Sequence, residues 1–207
     1  MFLPIFPLEL VVFPGDNVPL HIFEPRYKQL IGECRDRGIT FGIPPLVQGH
    51  LAKFGTELEL ATILNTYDSG ELDIIVRGLT PFRIDSYLPE VPGKLYSGAN
   101  VERIDTSNNA DEALESRVRE LVQRLQEVVA SNVTVPEKLT RPLSYEAAQI
   151  TGLSLVQKLQ MLSLQNENER LDMLREHLER TIPKIEAART SHRRAGSNGH
   201  AKGFPKE

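Results

Sequence analysis

The sequence predicts an α+β protein, with a β-rich amino-terminal half and a helical carboxy-terminal half. Three observations carry this reading. Through residue 105 the apolar residues come in short, often β-branched runs separated by Gly, Pro, Asn and Asp. From residue 106 they recur at three- and four-residue spacing, the period of a helix with one buried face. Gly and Pro number 14 each in 207 residues, which excludes long uninterrupted helices over most of the chain. The expected division is a β-barrel subdomain over 1–105, a helical bundle over 110–192 and a disordered tail over 193–207.

Strand-like runs occupy 3–8, 10–13, 18–23, 39–43, 56–66, 71–77, 82–87 and 95–104. Pro14-Gly15-Asp16-Asn17 and Asp68-Ser69-Gly70 are turn chemistry, supplying fixed or positive φ. The second turn joins two strand-like runs and predicts a hairpin. Many short strands at this spacing point to a small barrel or sandwich. One helix interrupts them. Pro25 suits a first helical turn, where its missing N–H costs nothing. Tyr27, Leu30, Ile31 and Cys34 then form one apolar stripe, and Gly38 is placed to end it.

In the second half, Asn109 with Glu112 reads as the start of a helix whose face is Leu114, Val118, Leu121, Val122, Leu125 and Val129. Two prolines within 134–142 break it. A short helix over 144–150 stops at Gly152. Ser154 with Gln157 caps the next, followed by Leu155, Leu159 and Leu162. Asn166 with Glu169 caps the last, with Leu171, Leu174, Leu178 and Ile182 inside it, and Pro183 is expected to kink or end it. The segment 193–207 lacks the apolar surface to order itself.

Charge and composition exclude several functions. The net charge is −4, and residues 1–105 alone carry nine basic and fourteen acidic side chains. That opposes a dedicated nucleic-acid binder, which needs a basic face against phosphate. One cysteine excludes an intramolecular disulfide and a multi-cysteine metal site, and fits a reducing compartment. The apolar start of the chain has no basic n-region and is interrupted by Pro4, Pro7 and Glu9, so it is not read as a signal peptide. No stretch approaches the roughly 20 apolar residues that span a bilayer. A cytoplasmic protein is expected.

No phosphate-loop, dinucleotide, nucleophile-elbow or paired-histidine zinc motif occurs. Cys34 lies on the apolar stripe of the first helix and reads as a buried structural thiol. His21 sits in an apolar strand and reads as a structural histidine. Glu57 and Glu59 alternate in a strand and read as a solvated face. No catalytic residue, cofactor or metal is expected.

The densest constellation runs from Leu10 to Tyr27. A strand enters a Pro-Gly turn, and a second strand returns with Pro19 confining it to an edge or bulge. A tight strand-to-helix corner follows at Phe23-Glu24-Pro25, with Glu24 suited to the helix N-terminus and Arg26 and Tyr27 bracing the first turn. The candidate protein-binding or structural corner is therefore Phe13, Pro14, Gly15, His21, Phe23, Glu24, Arg26 and Tyr27. The favoured expectation buries Phe23 and Tyr27. The alternative exposes one of them as an aromatic anchor for a client.

The pattern Phe13-Pro-Gly-x-x-x-Pro-Leu-x-Ile-Phe-Glu-x-Arg-Tyr27 resembles the opening of the Lon protease amino-terminal domain, the LON substrate-binding domain. Phe41-Gly42-Ile43, Gly55-Thr56 and Arg77-Gly78 agree, as do 157–162 and Glu169-Arg170-Leu171 in the helical half. One departure is Pro81 before Phe82-Arg83, where the family carries arginine before the phenylalanine. The resemblance covers about residues 1–185 and implies a PUA-like β pseudo-barrel followed by a carboxy-terminal helical bundle. It further implies a stand-alone domain without the ATPase and peptidase modules of full Lon proteases. The implied function is non-catalytic recognition of proteins or peptides by added strand pairing or apolar pockets. The implied partners are unfolded or client polypeptides and a protease. RNA binding is the alternative, because PUA-like barrels elsewhere recognise RNA; the acidic barrel half and the 6% aromatic content oppose it.

Overall fold

Alternating apolar residues set the strands, and turn residues decide where they reverse. The computed structural model describes residues 1–129, 135 and 141–197, with side chains through residue 190. The first half contains β1 (Phe2–Ile5), β2 (Asn17–Ile22), α1 (Pro25–Arg37), β3 (Phe41–Ile43), β4 (Leu46–Val47), β5 (His50–Leu51), β6 (Phe54–Thr66), β7 (Leu72–Leu88) and β8 (Ser97–Arg103). The second contains α2 (Glu112–Val129), α3 (Leu143–Ala148), α4 (Leu155–Ser163) and α5 (Glu167–Ser197). The expected α+β architecture, strands first and helices after, is present.

Six strands form one sheet in the order β2-β7-β6-β3-β1-β8. An additional β7–β8 pairing brings the sheet round on itself into a pseudo-barrel. β1 and β3 are parallel and the other pairs antiparallel. The β6–β7 pairing carries three register shifts, two with the extra residue on β6 and one with it on β7. The Asp68-Ser69-Gly70 hairpin forms as expected, with Gly70 at φ 76°. β4 and β5 make a separate small hairpin through Gln48 and Gly49, both at positive φ.

Two strand expectations change. In the run 10–13, Val11, Val12 and Phe13 are buried but form no strand, and side chains take two of its backbone groups. The Phe13 N–H donates to Asp16 Oδ2 at 2.8 Å, and the Val12 carbonyl accepts from the Thr56 hydroxyl. The runs 71–77 and 82–87 are one continuous strand, β7. Gly78 keeps it extended, donating its N–H to the Asp16 carbonyl at 2.9 Å. A Cβ at that position would strike the Phe13 carbonyl.

Helix α1 starts at Pro25 and ends at Gly38 (φ 64°), whose N–H donates to the Cys34 carbonyl. Its stripe of Tyr27, Leu30, Ile31 and Cys34 is buried as expected, in one cluster with Phe6, Phe41, Ile74 and Val76. The Phe6 and Tyr27 rings stack with centroids 3.7 Å apart. A second cluster, Leu3, Ile5, Phe82, Ala99 and Val101, lies within the same sheet.

The chain divides into two compact units, Met1–Asn109 with Leu153–Glu167, and Ala110–Gly152 with Asn168–Glu207. Helix α4 thus groups with the sheet rather than with the helical part, and it packs on β6. Periodicity shows that a helix has an apolar face but not what covers it. Its Ser154–Gln157 capping box forms as expected. In the other unit Asp111, not Asn109, caps α2, its Oδ1 accepting from the Leu114 N–H at 2.9 Å.

Helix α5 continues through Pro183 to Ser197 instead of ending. Pro183 is exposed, so the carbonyl it leaves unbonded has access to water. Ion pairs to α2 hold the helix on both sides of it: Arg117 to Glu179 at 3.3 Å and Arg124 to Glu186 at 2.8 Å. Residues 193–197 of the expected disordered tail are therefore helical. The rest of that tail lies outside the described residues, as does most of the expected break at 134–142. Among the described residues no helix is long and apolar enough to cross a membrane.

Candidate functional site

The sequence-derived corner separates into two parts. Phe13 is fully buried, and Pro14 with Gly15 (φ 84°) forms the turn that sets β2 beside β7. The Gly15 N–H donates to the Gly78 carbonyl at 2.9 Å. Tyr27 is buried under Phe6. These four residues are framework.

His21 and Phe23 face solvent. Phe23, expected in the core, is 58% exposed. The reason is strand parity: Ile22 is the last inward-facing residue of β2, so its neighbours on both sides point out. Glu24 and Arg26 lie beside them and pair with each other, Arg26 Nη2 to Glu24 Oε2 at 2.7 Å. Arg26 also covers the Tyr27 ring, 4.6 Å from its centroid.

The hairpin between β6 and β7 supplies partners that sequence reasoning missed. β2 pairs with β7 so that His21 lies opposite Asp73, and β6 places Asn65 opposite Asp73 on the other side. His21 Nδ1 lies 2.7 Å from Asp73 Oδ1. An ionised carboxylate only accepts, so His21 Nδ1 carries a proton and donates it in this hydrogen bond. Asp73 Oδ2 accepts from the Tyr67 hydroxyl at 2.6 Å and from Asn65 Nδ2 at 3.1 Å. These donors, Tyr67 first, hold the Asp73 carboxyl down to about 2. Asp73 in turn pushes the Tyr67 phenol upward. His21 Nε2 lies 3.7 Å from Glu71 Oε2. The His21 ring stacks on Phe23 with centroids 6.1 Å apart and meets the edge of Tyr67 at the same distance. No local spacing signals this cluster, because His21 and Asp73 are 52 residues apart.

A second polar centre corrects another expectation. Glu57 is buried rather than solvated. β6 is buried at four successive positions, Gly55 to Leu58, so both of its faces are covered there and the face that carries Glu57 is not left to water. Arg103 Nε and Nη2 donate to Glu57 at 2.6 and 2.8 Å, and the Thr40 hydroxyl donates at 2.6 Å. The Arg103 hydrogen bonds hold the Glu57 carboxyl below its usual range against the opposing effect of burial. A cavity of about 390 Å³ opens beside this pair, between Arg83, Glu102, Ser163 and Gln165. Arg83 within it is paired to Glu102 and Asp85 at 2.6 and 3.1 Å.

Cys34 is buried, and burial pushes its thiol up to about 12, which is the opposite of an activated nucleophile. Among the described residues no group of three or more His, Cys, Asp or Glu side chains is placed to hold a metal ion.

A search of curated proteins returned no match. Solved structures do match in fold. A Lon N-terminal domain protein from Xanthomonas campestris superposes with a TM-score of 0.67 at 24% identity, over 84% of this chain and 96% of that one. The N-terminal domain of a Mycobacterium avium complex Lon protease superposes with a TM-score of 0.63 at 16% identity, over 86% of this chain and 98% of that one. The sequence pattern and these folds agree with the family model for the ATP-dependent protease La (LON) substrate-binding domain, which matches residues 2–180, and the chain belongs to that family.

Proposed function

We propose that this protein is a non-catalytic cytoplasmic module that binds segments of client polypeptides and presents them for proteolysis. Membership of a substrate-binding family over residues 2–180 carries the reading. The exposed rings of Phe23 and Tyr67 support it, since solvent-facing aromatics beside a strand edge are what an apolar client segment uses. The buried, high-pKa thiol of Cys34 also favours binding over covalent chemistry.

The test is fluorescence anisotropy with a panel of labelled, unfolded polypeptides. Saturable binding in the tens-of-micromolar range or tighter is the expected result. An absence of binding across the panel would overturn the reading.

A further inference from the structure

The outer edge of β2 is the place where the sheet stops. β2 pairs with β7 on one side, and among the described residues no strand pairs with the other. The direction of its backbone groups follows from register. The Asp16 carbonyl accepts from the Gly78 N–H, so position 16 points toward β7, as do 18, 20 and 22 by alternation. Asn17, Pro19 and His21 therefore aim their backbone groups at the open edge. Natural edges are blunted by proline, lysine or bulges. Here Pro19 withdraws one N–H, but β2 carries no lysine and its pairing with β7 has no register shift. Among the described residues no backbone partner takes the donors at Asn17 and His21 or the carbonyls at these three positions, which leaves them for another chain.

Chemistry beside the edge selects what that chain carries. Glu71 Oε2 lies 3.7 Å from His21 Nε2, beyond hydrogen-bond distance, so this exposed carboxylate keeps its acceptor capacity toward solvent. An exposed carboxylate beside an aromatic ring suits a cationic side chain, whose N–H groups it accepts. Asp73 already accepts from three donors, so Glu71 is the carboxylate available to a ligand. The exposed Phe23 ring stacked on His21 gives a guanidinium plane a surface to lie on. A side chain opposite His21 on an added strand starts about 5 Å from it, within arginine's reach of Glu71.

We propose that the open edge of β2 receives an extended client segment as an added strand, and that an arginine of that segment pairs with Glu71 against the Phe23 ring. This rests on the polypeptide-binding reading and names the surface and the preferred ligand chemistry.

The experiment uses labelled ten-residue peptides of apolar, β-prone sequence with one central arginine, and counterparts with glutamine in its place. A third set carries backbone N-methyl groups at alternate positions, which removes strand pairing without touching the protein. The arginine peptide is expected to bind about tenfold more tightly than the glutamine one. N-methylation in one of the two alternations is expected to abolish binding. Glu71→Gln is expected to shrink the arginine preference to less than about twofold, a ratio unaffected by the fraction of protein folded. Binding that ignores both the arginine and N-methylation overturns this inference and leaves the polypeptide-binding reading standing. Absence of binding by these peptides and by unfolded proteins overturns both.

Discussion

Arg103 on β8 reaches across β7 to grip the buried Glu57 carboxylate of β6 with two hydrogen bonds, at 2.6 and 2.8 Å. One side chain thereby ties two strands that share β7 as their neighbour. Removing it strands a negative charge in the barrel wall. Arg103→Ala is expected to destabilise the protein by about 2–3 kcal/mol, below the cost for a fully buried pair because Arg103 is half exposed. Urea unfolding at neutral pH measures it.

The same carboxylate sets an acid limb. Glu57 is held below the usual carboxylate range in the folded state, so its contribution is full above that range. It is lost as the pH falls through the lowered value. The stability difference between the parent and Arg103→Ala should therefore narrow as the pH falls, because protonation neutralises the carboxylate that the variant leaves unpaired, and urea unfolding repeated at acid pH measures it.

Phe23 and Tyr27 sit four residues apart with opposite environments, 58% and 6% exposed. Phe23→Ala should change stability by less than about 1 kcal/mol. Tyr27→Ala should cost about 3–5 kcal/mol through lost burial and a cavity against Phe6. Thermal melts of the two variants, run side by side, check the contrast.

Gly78→Ala should be among the most damaging single methyl additions. The new Cβ meets the Phe13 carbonyl, which is backbone and cannot swing aside. A loss of about 3 kcal/mol is expected from overpacking at that contact. Chemical denaturation measures it, and a near-neutral result would mean that the 13–16 turn moves freely.

Cys34 should resist thiol reagents at pH 8. Burial raises its pKa to about 12 and also excludes the reagent. Labelling should proceed only as fast as the protein opens, and should become immediate in denaturant.

Much of the framework was legible because its signals are local. The α1 stripe and its Pro25 and Gly38 boundaries are read within fourteen consecutive residues. The Ser154–Gln157 box is read within four. Phe23 ends an apolar run, which predicts burial, but strand parity counted from the inward-facing Ile22 turns it outward. Glu57 alternates with apolar neighbours, and alternation tells two strand faces apart without showing that the second face is covered as well. The His21–Asp73–Glu71 cluster needs the β2–β7 pairing, a long-range contact that hydrophobic patterning does not specify. The placement of α4 with the sheet is hidden for a like reason.

β7 pairs with three strands, more than any other described strand, and it carries β2 on its flank. A strand hydrogen-bonded on both sides exchanges its amide protons slowly, so β7 should be the last segment to take up deuterium. Its rigidity passes to the outer strand that hangs from it. An incoming segment would then meet a rail already fixed in shape and would give up little more than its own freedom on docking.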